Sequence, residues 1–263
     1  MKAIVLDLDG TLLDDRKRVS ERSLSALLRI HRLGHRIIFA TARPPRTVKT
    51  FLPAELLQIG AFVYYNGAQI SCGHTRFEHS ETIGCGLVAE LLDDCRMLEP
   101  NLLLGLEAQD TLYSLNENPP VAAVVTPFEQ LKRFEAAKVL LAHFPYTESV
   151  AEKFGVQLNI LTTDGGTLVQ IASKRASKEL AVGMLCARYG ISWEDTIVFG
   201  DDANDLGLLR ASGWPVAMAN GIDELKAAAR EIAESNNQDG VAKVLERMLS
   251  QGEIAELPAC GSS

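Results

Sequence analysis

Two carboxylates near the start of the sequence follow a short apolar run. The run Ala3–Leu6 is typical of a strand buried on both faces of a parallel sheet, and such strands carry ligands at their carboxyl ends. Asp7 and Asp9 follow at that end. Because residues two apart in a strand project to the same side, these acids repel each other unless a shared proton or a hard divalent cation such as Mg²⁺ relieves them. The alternative is an ordinary turn at Asp9-Gly10 with Asp7 at the surface.

A second group of acids follows another apolar run, residues 196–199. Asp201, Asp202 and Asp205 come just after it. They can be read as caps or first-turn acids, which favour the positive end of the next helix, and we expect one of the three to be only that. Together with the first pair of acids, the others predict several oxygen ligands around one Mg²⁺, which favours octahedral sites completed by water and phosphate.

Thr41 is a candidate for binding an anion. It follows the predicted strand Arg36–Ala40, so its hydroxyl and the backbone amides after it are placed to bind an oxyanion at a helix start. The alternative is that Thr41 only caps the helix that contains Pro44 and Pro45.

Lys178 is a second candidate, at the predicted first position of a helix after Ser177. A cation there meets the unfavourable end of the helix dipole, which a bound anion would offset. Lys174 is an alternative for the same role, and a solvated lysine is the plain alternative. The position relative to the helix start favours Lys178.

The surrounding patterns predict the elements that hold these residues. Residues 23–33 have apolar positions at helical spacing, and with the strand Arg36–Ala40 they give a strand-helix-strand unit with a right-handed crossover. Asn66-Gly67 separates two apolar segments and predicts a hairpin with a two-residue turn. Later segments resume the first pattern as helix, strand, helix and helix: residues 178–189, 196–199, 205–211 and 223–232.

Between these parts the pattern changes to shorter strands, 102–106 and 111–115, and helices near 87–97 and 128–144. We expect an α/β fold: a doubly wound, Rossmann-like parallel-sheet core with an inserted α+β domain. The expected boundaries are residues 1–81 and 169–263 for the core and 82–168 for the insertion. Residues 251–263 have little periodicity and predict a loose tail.

The composition narrows the class of partner. The 263 residues are 47% hydrophobic and 23% charged, which is ordinary for a globular protein. A net charge of -8 argues against nucleic-acid binding and favours a small-molecule partner. The five cysteines lack metal-site spacing and are expected to be free thiols. No signal segment or membrane-spanning run is found, so a cytoplasmic location and no membrane partner are expected; the oligomeric state is left open.

These motifs resemble the haloacid dehalogenase-like (HAD) phosphohydrolases, in particular the Cof-type phosphatases of type IIB, which have a large α+β cap. The resemblance covers nearly the whole chain. It rests on five motifs in the family's order: residues 7–12 (DLDGTL), 41–43 (TAR), 66–68 (NGA), 177–178 (SK) and 200–205 (GDDAND). Residues 216–220 and 237–241 also match the family's closing segments. Ala42 stands where glycine is frequent, and Leu208 where a methionine often occurs.

The resemblance implies that Asp7 attacks phosphorus to form an aspartyl-phosphate and that Asp9 acts as acid and base. It implies one Mg²⁺ held by the Asp7 carboxylate, the Asp9 backbone carbonyl and Asp201, with Asp205 acting through water. It also implies five residues that hold the phosphoryl oxygens: Leu8, Thr41, Ala42, Lys178 and Asn204.

The implied activity is Mg²⁺-dependent hydrolysis of a small phosphorylated metabolite, with a sugar phosphate as the leading expectation. The cap is expected to close over the substrate and select it. The alternatives are a phosphomutase, a phosphatase of a phosphorylated cofactor or nucleotide, and a noncatalytic sensor of phosphorylated ligands. The intact Asp7 and Asp9 argue against the sensor.

Overall fold

A computed structural model describes residues 1–73, 75–117, 119 and 121–255. The chain forms two compact units: unit 1 comprises Met1–Glu78 and the chain from Lys178 onward, and unit 2 is His79–Ser177. The expected boundaries were 82 and 168. The second junction falls later because the strand Leu168–Ser173 pairs with strands of unit 2.

Within the described part of the chain, Cys72, Cys85, Cys95 and Cys186 form no disulfide. The fifth cysteine, Cys260, lies outside the described residues, as does most of the predicted tail. Within the described ranges, no helix combines the length and the apolar character needed to cross a membrane.

The first part of unit 1 alternates strands and helices. Its elements are β1 Ala3–Leu6, α1 Glu21–Arg32, β2 Arg36–Ala40, α2 Pro45–Phe51, α3 Ala54–Ile59, β3 Gly60–Tyr64, β4 Gln69–Cys72 and β5 Phe77–Ser80, the last of which continues two residues past the division at Glu78. Ser20 caps α1, because its side chain accepts a hydrogen bond from the backbone N–H of Ser23. The predicted hairpin forms between β3 and β4, but its loop has four residues, since Tyr64 pairs with Gln69.

Unit 2 folds from one continuous stretch of chain. Its elements are α4 Cys85–Leu98, β6 Leu103–Ala108, β7 Thr111–Ser114, β8 Val124–Val125, α5 Phe128–Leu131, β9 Lys138–Ala142, α6 Thr147–Phe154, β10 Leu158–Thr163 and β11 Leu168–Ser173. The strands form one sheet in the order β10-β11-β9-β6-β7-β8. The apolar core includes Val88 and Leu91 of α4 and Val150 of α6, packed with Leu106 and Val139 of the sheet.

One predicted element of unit 2 is wrong. Residues 128–144 were expected to form a single helix, but the helix stops at Leu131 and Lys138–Ala142 forms β9. Val139 and Leu141 are fully buried, and β9 pairs with both β6 and β11. The burial of β9 and its pairing on both edges therefore outweigh the helical propensity of the segment in which it lies.

The chain then returns to unit 1. The remaining elements are α7 Lys178–Tyr189, β12 Thr196–Gly200, α8 Leu206–Ala211, β13 Trp214–Met218, α9 Asp223–Ala228, β14 Glu231–Ala233 and α10 Gly240–Ser250. The predicted helix over residues 223–232 is too long. It ends at Ala228, and Ile232 lies in β14, which pairs in parallel with β13.

The unit 1 sheet has the order β14-β13-β12-β1-β2-β3-β4-β5 and is parallel from β14 to β3. All four residues of β1 are fully buried; Ala3 and Val5 pack with α7, α8 and α9, while Ile4 and Leu6 alternate to the other face. The doubly wound α/β prediction is confirmed. The chain reverses its winding between β1 and β12, the point at which ligands bind in such sheets.

Candidate active site

The site lies where three adjacent parallel strands end. β12, β1 and β2 are neighbours in the sheet, and they lead into Asp201, Asp7 and Thr41 respectively. The backbone N–H of Asp7 still donates to the carbonyl of Phe199, at 3.1 Å, which continues the ladder past the last residue of β1. Asp7 and Asp201, which are far apart in the sequence, are thus held at one edge of the sheet.

Three carboxylates meet at this edge. One oxygen from each of Asp7, Asp201 and Asp205 lies within 4.8 Å of the others. The Lys178 ammonium donates to Asp7 Oδ1 at 2.5 Å and to Asp205 Oδ1 at 2.7 Å. Since the Lys178 side chain is 1% exposed, this is a buried cation bridging two buried acids.

Burial and crowding perturb these groups. Burial raises the pKa of Asp7 to about 8; Lys178 opposes this rise, and the neighbouring Asp205 adds to it. Burial likewise raises the pKa of Asp201 to about 6, and the charge of Asp205 contributes. The pKa of Lys178 is raised even though burial alone would lower it, because Asp205 and Asp7 stabilise its charged form. One ammonium therefore does not neutralise the cluster.

The donor set fits a Mg²⁺ ion. Mg²⁺ binds through one or two carboxylates together with water and phosphate oxygens. A dication among these carboxylates would favour the charged forms of Asp7 and Asp201, offsetting both the burial that raises their pKa values and the repulsion from Asp205 that adds to the rise. The cluster predicted from the two acidic motifs is therefore brought together.

Asp9 has a different environment. Its carboxylate accepts hydrogen bonds from Arg43 Nε at 2.5 Å, Arg43 Nη2 at 2.6 Å and Lys17 Nζ at 2.6 Å. Burial by itself raises the pKa of Asp9, but the hydrogen bonds from Arg43 and Lys17 outweigh it, so the pKa is lowered. In this arrangement Asp9 is an ionised carboxylate clamped by two cations and not a member of the three-carboxylate group.

The predicted anion-binding residues lie at the ends of neighbouring strands. Thr41 is buried, and its hydroxyl accepts from the backbone N–H of Arg43 at 3.2 Å. Asn204 donates from Nδ2 to Asn66 Oδ1 at 3.1 Å, while its own Oδ1 is buried without a partner. The hairpin motif around Asn66 therefore braces Asn204, a role that its sequence did not suggest.

The remaining residues predicted for phosphate binding have different surroundings. Leu8 is fully buried, and its carbonyl accepts from the backbone N–H of Leu13 at 2.8 Å. Ala42 lies between Thr41 and Arg43 and begins no helix, because α2 starts at Pro45. Lys174, the alternative to Lys178, is exposed.

Asp202 is the acid that only caps. Its side chain accepts from the backbone N–H of Ala203 at 2.7 Å. Asp205 completes a capping box with it, since Asp205 Oδ2 accepts from the backbone N–H groups of Asp201 and Asp202, at 3.2 and 3.4 Å. Asp205 therefore fixes the loop with one oxygen and meets Lys178 with the other.

Close backbone approach explains Gly10. Its φ is +73°, and a Cβ there would lie 2.0 Å from Asp201 Oδ2. Its carbonyl accepts from Asn220 Nδ2 at 2.7 Å, and Asn220 Oδ1 accepts from the backbone N–H of Asn236 at 3.0 Å. The closing segment 216–220, held by Asn236 directly before the second closing segment, thus braces the loop that carries Asp9.

Sequence reasoning missed three residues of the site. Arg43 appeared only as part of a motif, and Lys17 and Thr11 were given no role, although Thr11 donates to Asp201 Oδ1 at 3.1 Å. The signal for Arg43 was its place directly after Ala42 at a strand end. Lys17 gave no signal, because its contact with Asp9 depends on a backbone turn in which Lys17 has a φ of +60°.

Comparison with known proteins shows the family to which this chain belongs. A family model of haloacid dehalogenase-like hydrolases matches residues 4–245, so the chain belongs to this family. A relative from Bacillus subtilis strain 168, the 5-amino-6-(5-phospho-D-ribitylamino)uracil phosphatase YitU, is 26% identical over 266 residues, which cover 94% of this chain and 97% of that protein. The chain is a phosphatase of this family, that is, a phosphoric monoester hydrolase.

Two solved structures have a fold similar to that of this chain. TM0651 from Thermotoga maritima superposes with a TM-score of 0.85 at 27% identity, covering 94% of this chain and 97% of that one. The HAD subclass IIB sugar phosphatase BT4131 gives a TM-score of 0.77 at 21% identity, covering 94% and 99% of the two chains. The second likeness concerns the fold alone.

Proposed function

We propose that the protein is a Mg²⁺-dependent phosphatase that hydrolyses a small phosphorylated sugar or sugar alcohol through an aspartyl-phosphate. The observation that carries this proposal is the group formed by buried Asp7, Lys178 and Asp205 together with half-buried Asp201, next to the ends of β1 and β12. Phosphoryl transfer is catalysed chiefly by positioning and by neutralising charge, and this group provides a carboxylate nucleophile beside a cation.

In the first step, Asp7 Oδ attacks phosphorus, the bond from phosphorus to the ester oxygen breaks, and Asp9 gives that oxygen a proton. In the second step, water attacks the same phosphorus, Asp9 takes the proton from the water, and Asp7 is released with inorganic phosphate. Bound Mg²⁺ supplies positive charge that favours ionised Asp7 and neutralises the phosphoryl oxygens. Asp7 and Asp201 are the residues best placed to hold it, with Asp205 next to them.

Asp9 must change partners in this scheme. As an ionised group held by Arg43 and Lys17 it is suited to accept a proton, which is the requirement of the second step. To donate a proton in the first step, it must loosen at least one of these contacts. The two cations therefore set the balance between its acid and base roles.

Lys178, Thr41 and Asn204 are proposed to hold the phosphoryl oxygens, together with the backbone amides of Leu8 and Ala42. Asn204 Nδ2 donates one hydrogen to Asn66 Oδ1 at 3.1 Å, and its second hydrogen can be donated to a phosphoryl oxygen. Unit 2 is proposed to serve as the substrate-selecting cap. The substrate class is supported by YitU, whose named substrate carries a phosphorylated ribityl chain.

The test is phosphate release from a panel of sugar phosphates, sugar-alcohol phosphates and nucleotides, with and without Mg²⁺. Asp7→Asn should lower kcat by about 10⁴-fold or more, the order expected when a covalent nucleophile is lost. Asp202→Asn is the matched control, because asparagine caps as well as aspartate and this acid lies outside the three-carboxylate group. Equal turnover by wild type and Asp7→Asn would overturn the mechanism, and turnover without net phosphate release would indicate a phosphomutase.

A further inference from the structure

A short turn directly after β3 is fastened to one of the loops of the candidate active site. Tyr65, Asn66 and Gly67 all have left-handed backbone angles, with φ values of +53°, +57° and +107°. The backbone N–H of Asn66 donates to the Thr41 carbonyl at 2.9 Å. The backbone N–H of Tyr65 donates to the Arg43 carbonyl at 3.2 Å. The turn is therefore joined through its backbone to the loop that follows β2.

The side chain of Asn66 contacts a second part of the site, the segment that follows β12. Its Oδ1 accepts a hydrogen bond from Asn204 Nδ2 at 3.1 Å. The other end of the Asn204 amide, Oδ1, is buried and has no hydrogen-bond partner among the residues that the structure describes. The contact with Asn66 is therefore the hydrogen bond that distinguishes the two ends of the Asn204 amide.

The orientation of this amide decides whether it attracts or repels a phosphoryl group. An asparagine amide has two orientations, and turning from one to the other exchanges a donor for an acceptor. In the observed orientation, Asn204 Nδ2 keeps a second hydrogen that can be donated to a phosphoryl oxygen. In the reversed orientation, Asn204 Oδ1 would face both Asn66 Oδ1 and that phosphoryl oxygen. Because partial negative charges repel one another, the Asn66 acceptor disfavours the reversed orientation.

We propose that Asn66 is a positioning residue for phosphate binding, an inference that rests on the proposed phosphatase function. Asn66 acts through Asn204, because it holds the Nδ2 group of that residue in the orientation that donates to the phosphoryl group. Tyr65 is 1% exposed, so the turn that carries Asn66 is anchored in the core. A group that is held in place before its ligand arrives loses little freedom on binding. Asn66 should therefore strengthen the binding of any phosphate-bearing ligand, whatever its organic part.

The test is a double-mutant cycle in which calorimetry measures the dissociation constant of inorganic phosphate with Mg²⁺ present. Asn66→Gly removes the side chain but keeps the backbone N–H, and glycine adopts a left-handed φ without strain. It should weaken phosphate binding by about threefold to tenfold, as for the loss of a neutral hydrogen bond. Asn204→Ala should weaken it by about 10- to 100-fold, the loss expected for a hydrogen bond to a charged group. In a protein that already carries Asn204→Ala, Asn66→Gly should have no further effect.

Gln109→Gly is the matched control. Gln109 is an exposed, uncharged residue between β6 and β7, and its φ of +51° is likewise left-handed. Its replacement should leave the dissociation constant of phosphate unchanged. If Asn66→Gly weakens binding equally with and without Asn204→Ala, or not at all, Asn66 does not act through Asn204 and the inference fails. If wild type neither binds inorganic phosphate nor releases it from any compound of the panel, the proposed function itself fails, and with it the role of Asn66.

Discussion

Gly10→Ala separates the positioning of Asp201, proposed as a metal ligand, from the general cost of replacing a glycine. At a φ of +73°, alanine costs about 1–2 kcal/mol of unfolding free energy because its Cβ crowds the backbone. That cost corresponds to a fall in Tm of roughly 2–8 °C. In addition, the new Cβ would lie 2.0 Å from Asp201 Oδ2, so the carboxylate must move.

The displaced carboxylate would break the hydrogen bond from Thr11 and leave the geometry shared with Asp7. Disturbing a residue that orients a metal ligand typically lowers metal affinity by about 10- to 100-fold. We therefore expect Gly10→Ala to need about 10 to 100 times more Mg²⁺ for half-maximal phosphate release. We also expect it to lose most of the rise in Tm that Mg²⁺ gives the wild type, since a ligand stabilises only the state that binds it.

Gly252→Ala is the control for backbone strain alone. Gly252 has a φ of +74°, and nothing lies within 4 Å of the position that a Cβ would take. It should show a similar fall in Tm without any change in the Mg²⁺ requirement. Calorimetry and phosphate release at increasing Mg²⁺ measure both effects. A Gly10→Ala protein that binds Mg²⁺ as tightly as wild type would refute the assignment of Asp201 as a ligand held by this close approach.

Two further substitutions test the electrostatics. Lys178→Met leaves Asp7 and Asp205 as buried acids without their shared cation, so it should lower the free energy of unfolding, measured in urea, by about 3 kcal/mol. Lys174→Met changes an exposed lysine and should alter this free energy by less than about 0.5 kcal/mol. A small loss of the same size in both variants would contradict the buried bridge. Burial lowers the pKa of His35 from its ordinary value of 6.5, and the nearby charges of the N-terminus and Lys2 add to this, whereas the hydrogen bond from Nε2 to the Ala255 carbonyl, at 2.8 Å, opposes it. The other ring nitrogen, Nδ1, accepts from the backbone N–H of Lys2 at 3.0 Å. Below pH 6.5 the unfolded chain takes up a proton that folded His35 does not, so stability should fall by up to about 1.4 kcal/mol per pH unit until the folded pKa is reached. His35→Gln should flatten this part of the pH profile, and an unchanged slope would rule out His35 as its source.

The core of the fold was predictable because its signals are local. The buried run Ala3–Leu6 and the helix Lys178–Tyr189 were predicted with their observed bounds. The segment 128–144 was not, because its residues favour a helix in isolation, and β9 forms only by pairing with strands that lie 30 or so positions away on either side. Helix propensity depends on neighbouring residues in the sequence, whereas strand pairing depends on residues that are distant in the sequence and meet only in the folded sheet.

The acid cluster could be anticipated for the same reason, since parallel strands bring their carboxyl ends to one edge. The environment of Asp9 could not be anticipated from the sequence. It depends on Lys17 reaching back through a left-handed turn and on Arg43 approaching from a separate strand end. Sequence patterns locate the residues of a site at the ends of elements, but they do not show which counter-charges the loops bring to each acid.

The interrupted path of the chain through unit 1 also orders its folding during synthesis. β1 pairs with β2 on one edge and with β12 on the other, and β12 is made only after the whole of unit 2. Unit 2 is contiguous and can therefore complete its core while one edge of β1 still lacks a partner. An unpaired apolar strand edge invites pairing with other chains. If synthesis stopped after Ser177, the released chain would contain Asp7 but lack Asp201. Such a chain would be inactive and prone to aggregate, so the phosphatase becomes active only when its last third has been added.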